Sequence, residues 1–209
     1  MTIFYIDTTS SYLYTGIVKD NKLLIERKKD LGKELSIFTI SIVSEMFREA
    51  NIKPTDIDKI IVVNGPGSFT GIRIGVTIAK IMAWSLNIPI TTITSLEAMA
   101  KSIKTDKLIV PIINARREAC YAAIFDDDKE ILSGEYMTIE KLKMMLIGLN
   151  KEYAFVSNDS FSFEVEKYNP DILEIVNYYK DKEGINPHLV NPCYLKLTEA
   201  EENRIKNND

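Results

Sequence analysis

Two stretches of the chain carry residues that could handle a phosphate. Residues 64–71 read NGPGSFTG, follow the apolar run Lys59 to Val63, and open into a stretch almost free of charge. A strand, a glycine turn and a helix start in that order leave backbone N–H groups unpaired at the positive end of a helix dipole, which suits an anion. Gly65, Gly67 and Ser68 are therefore candidates for a phosphate cradle. Asp7 and Thr8, closing the β-rich run that starts at Ile3, are candidates to reach the same phosphates. Yet Gly65, Gly67 and Gly71 are spaced G-x-G-x-x-x-G, which is neither the dinucleotide fingerprint nor the phosphate loop of nucleotide hydrolases, and no Lys follows Gly71. A structural turn accounts for the same residues. Pro66 fixes φ, Gly67 is free to take a positive φ, Ser68 or Thr70 can cap the following helix, and Asp7 with Thr8 can close a turn of their own.

Other chemistry finds little support. The single histidine, His188, lies in the loop sequence NPHLVNP, and no HExxH or GxSxG occurs. A hydrolytic triad built on Ser68 would have to recruit that same His188. Cys120 and Cys193 lack CxxC spacing and read as small buried hydrophobes. No catalytic or metal-ligating residue is expected.

Composition sets further bounds. With 45% apolar and 27% charged residues among 209, the chain is expected to fold around a substantial core. Twenty-six basic against 30 acidic side chains give a net charge of -4, a poor match for gripping nucleic acid unaided. The basic residues Lys19, Lys22, Arg27, Lys28, Lys29 and Lys33 read as the solvated edge of a sheet. The amino terminus, MTIFYIDTTSS, has neither a basic flank nor a long apolar segment, so neither leader nor membrane contact is expected and the cytoplasm is the expected location.

Three β-rich runs, Ile3 to Asp7, Tyr12 to Val18 and Leu23 to Arg27, precede a helical stretch from Glu34 to Ala50, the strand Lys59 to Val63, the helix ending near Leu86 and the helix-forming SLEAMAKSI. From residue 107 the order begins again: Leu108 to Ile113, Ala119 to Phe125 and Glu130 to Tyr136, then a helix to Leu149, a strand Tyr153 to Ser157 and a helix Asp171 to Tyr179. Ile6, Tyr14 and Asp20 fall on Ile113, Tyr121 and Asp127 at a constant offset of 107. The expectation is an α/β chain of two halves, residues 1–104 and 105–209, each a mixed sheet flanked by helices. That is the plan of the actin-like ATPases (ASKHA, ribonuclease H-like fold), in which Asp7 and Asn114 take the two positions where acids would hold magnesium. The tail TEAEENRIKNND is expected to fray.

Both first-half helices are too apolar. Each spreads its apolar side chains over roughly 220°, where about 100° suffices to cover a sheet. A partner interface is therefore expected at Leu35, Phe38, Ile42 and Met46 on one helix, and at Ile72, Gly75, Val76, Ala79, Met82 and Ala83 on the other. The small residues Gly75, Ala79 and Ala83 are assigned to the partner, and Ile78 to the chain's own sheet.

The segments IDTTS (6–10), GPGSFTGIRIGVTIAK (65–80), NARREACYAA (114–123), PCYLK (192–196) and EAEE after it resemble the TsaB, or YeaZ-like, family. The resemblance implies a non-catalytic subunit of the bacterial machinery that places threonylcarbamoyl on the adenosine beside the anticodon of tRNAs reading codons that start with A. It implies binding to the catalytic paralogue TsaD, to the small ATPase TsaE and to a second copy as a homodimer, with tRNA reached only through the complex and ADP or ATP bound weakly if at all. Members carry an acid where this chain has Asn114. The competing reading is an actin-like phosphotransferase or ATP hydrolase acting alone.

Overall fold

The computed structural model describes residues 1–196; the tail sequence TEAEENRIKNND lies outside the described residues. The first sheet comprises β1 (Thr2–Asp7), β2 (Tyr12–Lys19), β3 (Lys22–Asp30), β4 (Lys59–Val63) and β5 (Ile90–Ile93), in the order β3-β2-β1-β4-β5. The second comprises β6 (Leu108–Asn114), β7 (Ala119–Asp126), β8 (Lys129–Thr138), β9 (Tyr153–Ser157) and β10 (Glu166–Lys167), in the order β10-β9-β6-β7-β8. In each, three antiparallel strands of a meander are extended by two parallel ones. This is the duplicated actin-like plan. The offset of 107 carries β1 onto β6 and β2 onto β7, and the meander turns at Asp20 and Asp127 both adopt positive φ, of 50° and 54°. Asp tolerates that conformation better than most residues.

Alternation along β1 decides the layers. Ile3 and Tyr5 face a core shared with Ile109, Phe125 and Val156 of the second sheet, while Phe4 and Ile6 face α1 (Leu35–Glu49) and α2 (Phe69–Leu86). The short α3 (Ser95–Ala100) and α5 (Ile172–Tyr179) fill the space between the sheets, and α4 (Ile139–Leu149) covers the outer face of the second. After the second sheet, therefore, the chain returns to the first. Lys59 Nζ donates to the carbonyls of Lys180 and Lys182 just past α5, a cation placed where a helix dipole is negative. Residues 185–196 then run beside α2: Ile185 N–H donates to the Ile90 carbonyl at 2.8 Å along the edge of β5, and Lys80 Nζ to the Val190 carbonyl at 2.7 Å.

The two outer helices face opposite to the sequence expectation. Ile72, Gly75, Val76, Ala79 and Ala83 of α2, and Leu35, Ile42 and Met46 of α1, are buried against Phe4, Ile6, Ile60 and Val62 of the sheet. Of the ten residues assigned to a partner, only Phe38 is exposed and Met82 partly so. The physical reason is the small-residue stripe itself. It lets the α2 backbone descend close to the sheet, and two bulky residues of the helix are thereby turned outward: Ile81 is 60% and Trp84 63% exposed. Ile78, assigned to the sheet, is only partly buried. Among the described residues α2 is the one helix with the length and apolarity to cross a membrane; one face of it is seated on the sheet.

Ala79→Arg is accordingly expected to unfold the protein, because the cation would be driven into the sheet: a loss of several kcal/mol, or more than about 10 °C in thermal midpoint. Trp84→Ala should move the midpoint by less than about 2 °C. Thermal melts of the two purified variants check this pair.

Candidate functional site

The turn after β1 is built by Asp7. Its Oδ1 accepts from the Thr9 N–H at 2.8 Å and the Thr9 hydroxyl at 2.7 Å, and the carboxyl is only 2% exposed. Burial pushes it up to about 6, against the opposing pull of the two Thr9 hydrogen bonds. Thr8 Oγ1 donates to the Gly71 carbonyl at 2.7 Å, tying this turn to the first turn of α2. From the other side, Ser68 N–H donates to the Thr9 carbonyl at 2.7 Å, and Ser68 Oγ caps α2 by accepting from Gly71 N–H at 3.2 Å. A Cβ at Gly67, Gly71 or Gly75 would overlap Thr9 or Thr8, and Gly67 holds φ of 155°. The glycines let two turns touch. Ser95 N–H and Cys193 N–H close the loop from its far side by donating to the carbonyls of Gly65 and Asn64.

The second half repeats the device. Asn114 Oδ1 accepts from Arg116 N–H at 2.8 Å, two residues on, as Asp7 does from Thr9. Amide and carboxylate at equivalent positions each close an Asx turn. Between the two turns lies a cleft of about 600 Å³ lined by Ser10, Tyr12, Gly67, Ser68, Phe69 and, across it, Asn114, Arg116, Tyr121 and Asp159. Gly67 and Ser68 thus reach the cleft, whereas Asp7, Thr8 and Gly65 do not line it. Among the described residues no three His, Cys, Asp or Glu side chains gather as a metal site, and both cysteines are free. Among the described residues that line it, the cleft offers polar walls and one cation, Arg116.

A second concavity, between α1 and α2, holds only Met82 of the ten residues assigned to a partner from sequence. Ser36, Ile40, Phe69, Arg73, Ile74 and Ile78 line one end, and Ile40, Val43, Phe47, Arg48, Ile52 and Met82 the other. Ile40 belongs to both and is 66% exposed. Ile37 on α1 and Ile81 and Trp84 on α2 are likewise apolar side chains that the sheet leaves exposed, Trp84 lying edge-on to His188. The helical excess of apolar residues was visible in the sequence. The phase was fixed by Gly71 and Gly75, whose close approach to Thr8 could have been read from the glycine spacing continuing out of the loop.

Residues 32–167 match the family model described as TsaD, tRNA N6-adenosine threonylcarbamoyltransferase. The tRNA threonylcarbamoyladenosine biosynthesis protein TsaB of Bacillus subtilis (strain 168) is 32% identical over 96% of each chain. The chain belongs to the TsaB, or YeaZ-like, family. The TsaB of Buchnera aphidicola subsp. Schizaphis graminum is 26% identical over 84% of this chain and 91% of its own. YeaZ from Pseudomonas aeruginosa shares the fold, with a TM-score of 0.77 at 16% identity over 93% of this chain and 99% of that one. A second Pseudomonas aeruginosa structure, of an uncharacterized protein with similarity to peptidase YEAZ, superposes with a TM-score of 0.80 at the same identity and coverage. For this TsaB-family chain, then, the phosphate-side residues anticipated from sequence are those that lock the two turns together.

Asp7 makes that locking role measurable. Its carboxyl titrates near 6 when folded and near 4 when unfolded, so between those values the folded state holds a proton the unfolded state has released. Stability therefore falls as pH rises through that window, by about 3 kcal/mol in all. Asp7→Asn keeps an acceptor for Thr9 and removes the charge. It should be more stable than the parent at pH 8 by up to about 3 kcal/mol and equal to it near pH 4, as read from urea melts at both values.

Proposed function

We propose that this chain acts in tRNA threonylcarbamoyladenosine biosynthesis, in the cytoplasm, as a non-catalytic subunit that docks the catalytic paralogue TsaD on the outer face of α1 and α2. The carrying observation is that α1 and α2 leave Ile37, Ile40 and Ile81 exposed, on a chain of the TsaB family whose relatives are named for that pathway. A face of this kind loses its contact with water when another subunit covers it. The non-catalytic role is supported by the use of Asp7 and Asn114 inside their own turns and by a cleft without a paired nucleophile and base. ADP or ATP has no assigned role in this reading, because Ser68 N–H and Gly71 N–H, which a phosphate cradle would present, are already spent on Thr9 and on the Ser68 side chain. TsaE joins through the assembly. The net charge of -4 supports contact with tRNA through the complex rather than by this chain alone.

Reconstitution tests the reading. The purified chain should neither hydrolyse ATP nor modify tRNA by itself, and should be required when TsaD, TsaE and a source of threonylcarbamoyl-adenylate are supplied. Ile40→Asp should fold normally, since the side chain is largely in water, yet raise the Kd for TsaD at least about a hundredfold by burying an unpaired charge. Turnover by the isolated chain, lost in Ser68→Ala, would favour the phosphotransferase or hydrolase alternative.

A further inference from the structure

The cleft between the two halves holds two opposite charges that do not pair with each other. Of the residues lining it, Arg116 and Asp159 alone are charged, and among the described residues neither enters an ion pair. Asn114 holds them both. Its Oδ1 accepts from the Arg116 N–H at 2.8 Å, and its own N–H donates to Asp159 Oδ2 at 2.8 Å, which leaves Asp159 Oδ1 for another donor. Asp159 is fixed a second time by its N–H, which donates to Ser157 Oγ at 3.0 Å. Arg116, Arg117 and Glu118 take positive φ in succession, of 64°, 51° and 54°. Such a run costs free energy in residues other than glycine, and strained backbone of this kind gathers at ligand sites. The other wall supplies hydroxyls. Ser10 Oγ accepts from the Tyr12 N–H at 3.1 Å and Ser68 Oγ from the Gly71 N–H at 3.2 Å, so each keeps its own O–H proton to give.

The geometry points to this cleft as a binding site for an α-amino acid, whose carboxylate is received by Arg116 and whose ammonium is received by Asp159. Charge decides the class. The side chains of the lining sum to zero, so a polyphosphate would meet a single guanidinium and, beside it, a carboxylate that repels it. A zwitterion satisfies both groups at once. The planar fork of an arginine matches a carboxylate with two parallel hydrogen bonds, and the bond from an ammonium to a carboxylate is likewise charge-assisted. Because one asparagine tethers the Arg116 backbone and the Asp159 side chain, the two charges are positioned before the ligand arrives, which lowers the cost of binding. The volume of about 600 Å³ lies within the range of small-molecule sites and leaves room past the head group for a side chain, which would meet the Tyr12 and Tyr121 rings, Met99 and the serine hydroxyls. None of Ile37, Ile40 and Ile81 lines the cleft, so this site stands or falls separately from the docking face.

Calorimetry of the full-length chain against each of the twenty amino acids tests the site. At least one should bind with a Kd below about 1 mM. For that amino acid, Arg116→Ala and Asp159→Asn should each raise the Kd about tenfold or more, with thermal midpoints within about 2 °C of the parent, since both side chains are exposed. Asp159→Asn keeps an oxygen for the Asn114 N–H and removes only the charge. Chemical derivatives put the same question to the parent protein, whatever the stability of the variants. The N-acetyl form lacks the ammonium and should bind about tenfold more weakly, with no further loss in Asp159→Asn; the methyl ester lacks the carboxylate and should show no further loss in Arg116→Ala. Failure of all twenty to bind overturns the proposal. Binding that is unchanged in either variant, or equal for the amino acid and its two derivatives, overturns it as well, because the head group is then held elsewhere. Inorganic phosphate and AMP supply the remaining arm: if either binds more tightly than every amino acid, and more tightly still in Asp159→Asn, the cleft is an oxyanion site and the assignment to a zwitterion is wrong.

Discussion

The contact between the β1 turn and the first turns of α2 is the constraint from which the rest follows. Thr8 and Thr9 lie where side chains at Gly67, Gly71 and Gly75 would have to be, and their polar atoms bond the Gly71 carbonyl and the Ser68 N–H. With glycine at those positions the helix can be drawn down until backbone and turn touch. The hydrogen bonds then fix its rotation, since a helix tethered at its first turn cannot roll. Ala79 and Ala83 continue the same line and complete the seating on the sheet. Ile74, Ile78, Ile81 and Trp84 are directed outward as a consequence, and the same tether sets Phe69 and Arg73 at the mouth of the groove.

That contact also decides which groups of the glycine turn are already engaged within the chain. A cradle requires N–H groups and a carboxylate that remain available to the ligand. Here Asp7 is sealed beneath Thr9, at a cost that shows as a carboxyl pushed up to about 6, and the Ser68 and Gly71 N–H groups are occupied. The equivalent Asn114 closes its turn with a neutral amide and carries no such burden. Two positions related by duplication have thus kept one geometric task, with different electrostatic consequences.

Much of the architecture was legible. Strand runs and helical stretches fell where the alternation and the glycine, proline and aspartate turns placed them, because those signals are local: Lys59 to Val63, Ile90 to Ile93 and Ser95 to Ala100 are instances. The repeat at offset 107 anticipated the matching strand orders of the two sheets. Helix orientation was not legible in the same way. An apolar arc of roughly 220° contains two faces, either of which could cover a sheet, and periodicity alone does not choose between them. The choice is made by Thr8 and Thr9, some 60 residues upstream in sequence, and only tertiary contact brings that information to the helix. The same holds for Arg73, whose hydrogen-bond partner, the Tyr194 hydroxyl, lies 121 residues away.

Among the described residues, duplication gives two sheets whose outer faces are covered differently. On the outer face of the first sheet α1 and α2 lie side by side, and a valley between two helices is a natural seat for a third. On the outer face of the second sheet, among the described residues, α4 lies without a second helix, and Phe161, Phe163 and Val165 pack onto the core as single side chains. The later helix of that half, α5, has moved to the space between the sheets, where Ile172, Ile175 and Val176 bind the halves together. The second half therefore spends its helix on internal cohesion. In the first half α2 is seated by Gly75, Ala79 and Ala83 together with Ile72 and Val76, while its Ile81 and Trp84 stay exposed. A firm interior and an apolar exterior thus occur on one helix, because the glycines and alanines bring its backbone down to the sheet and the side chains of its opposite face are left in water.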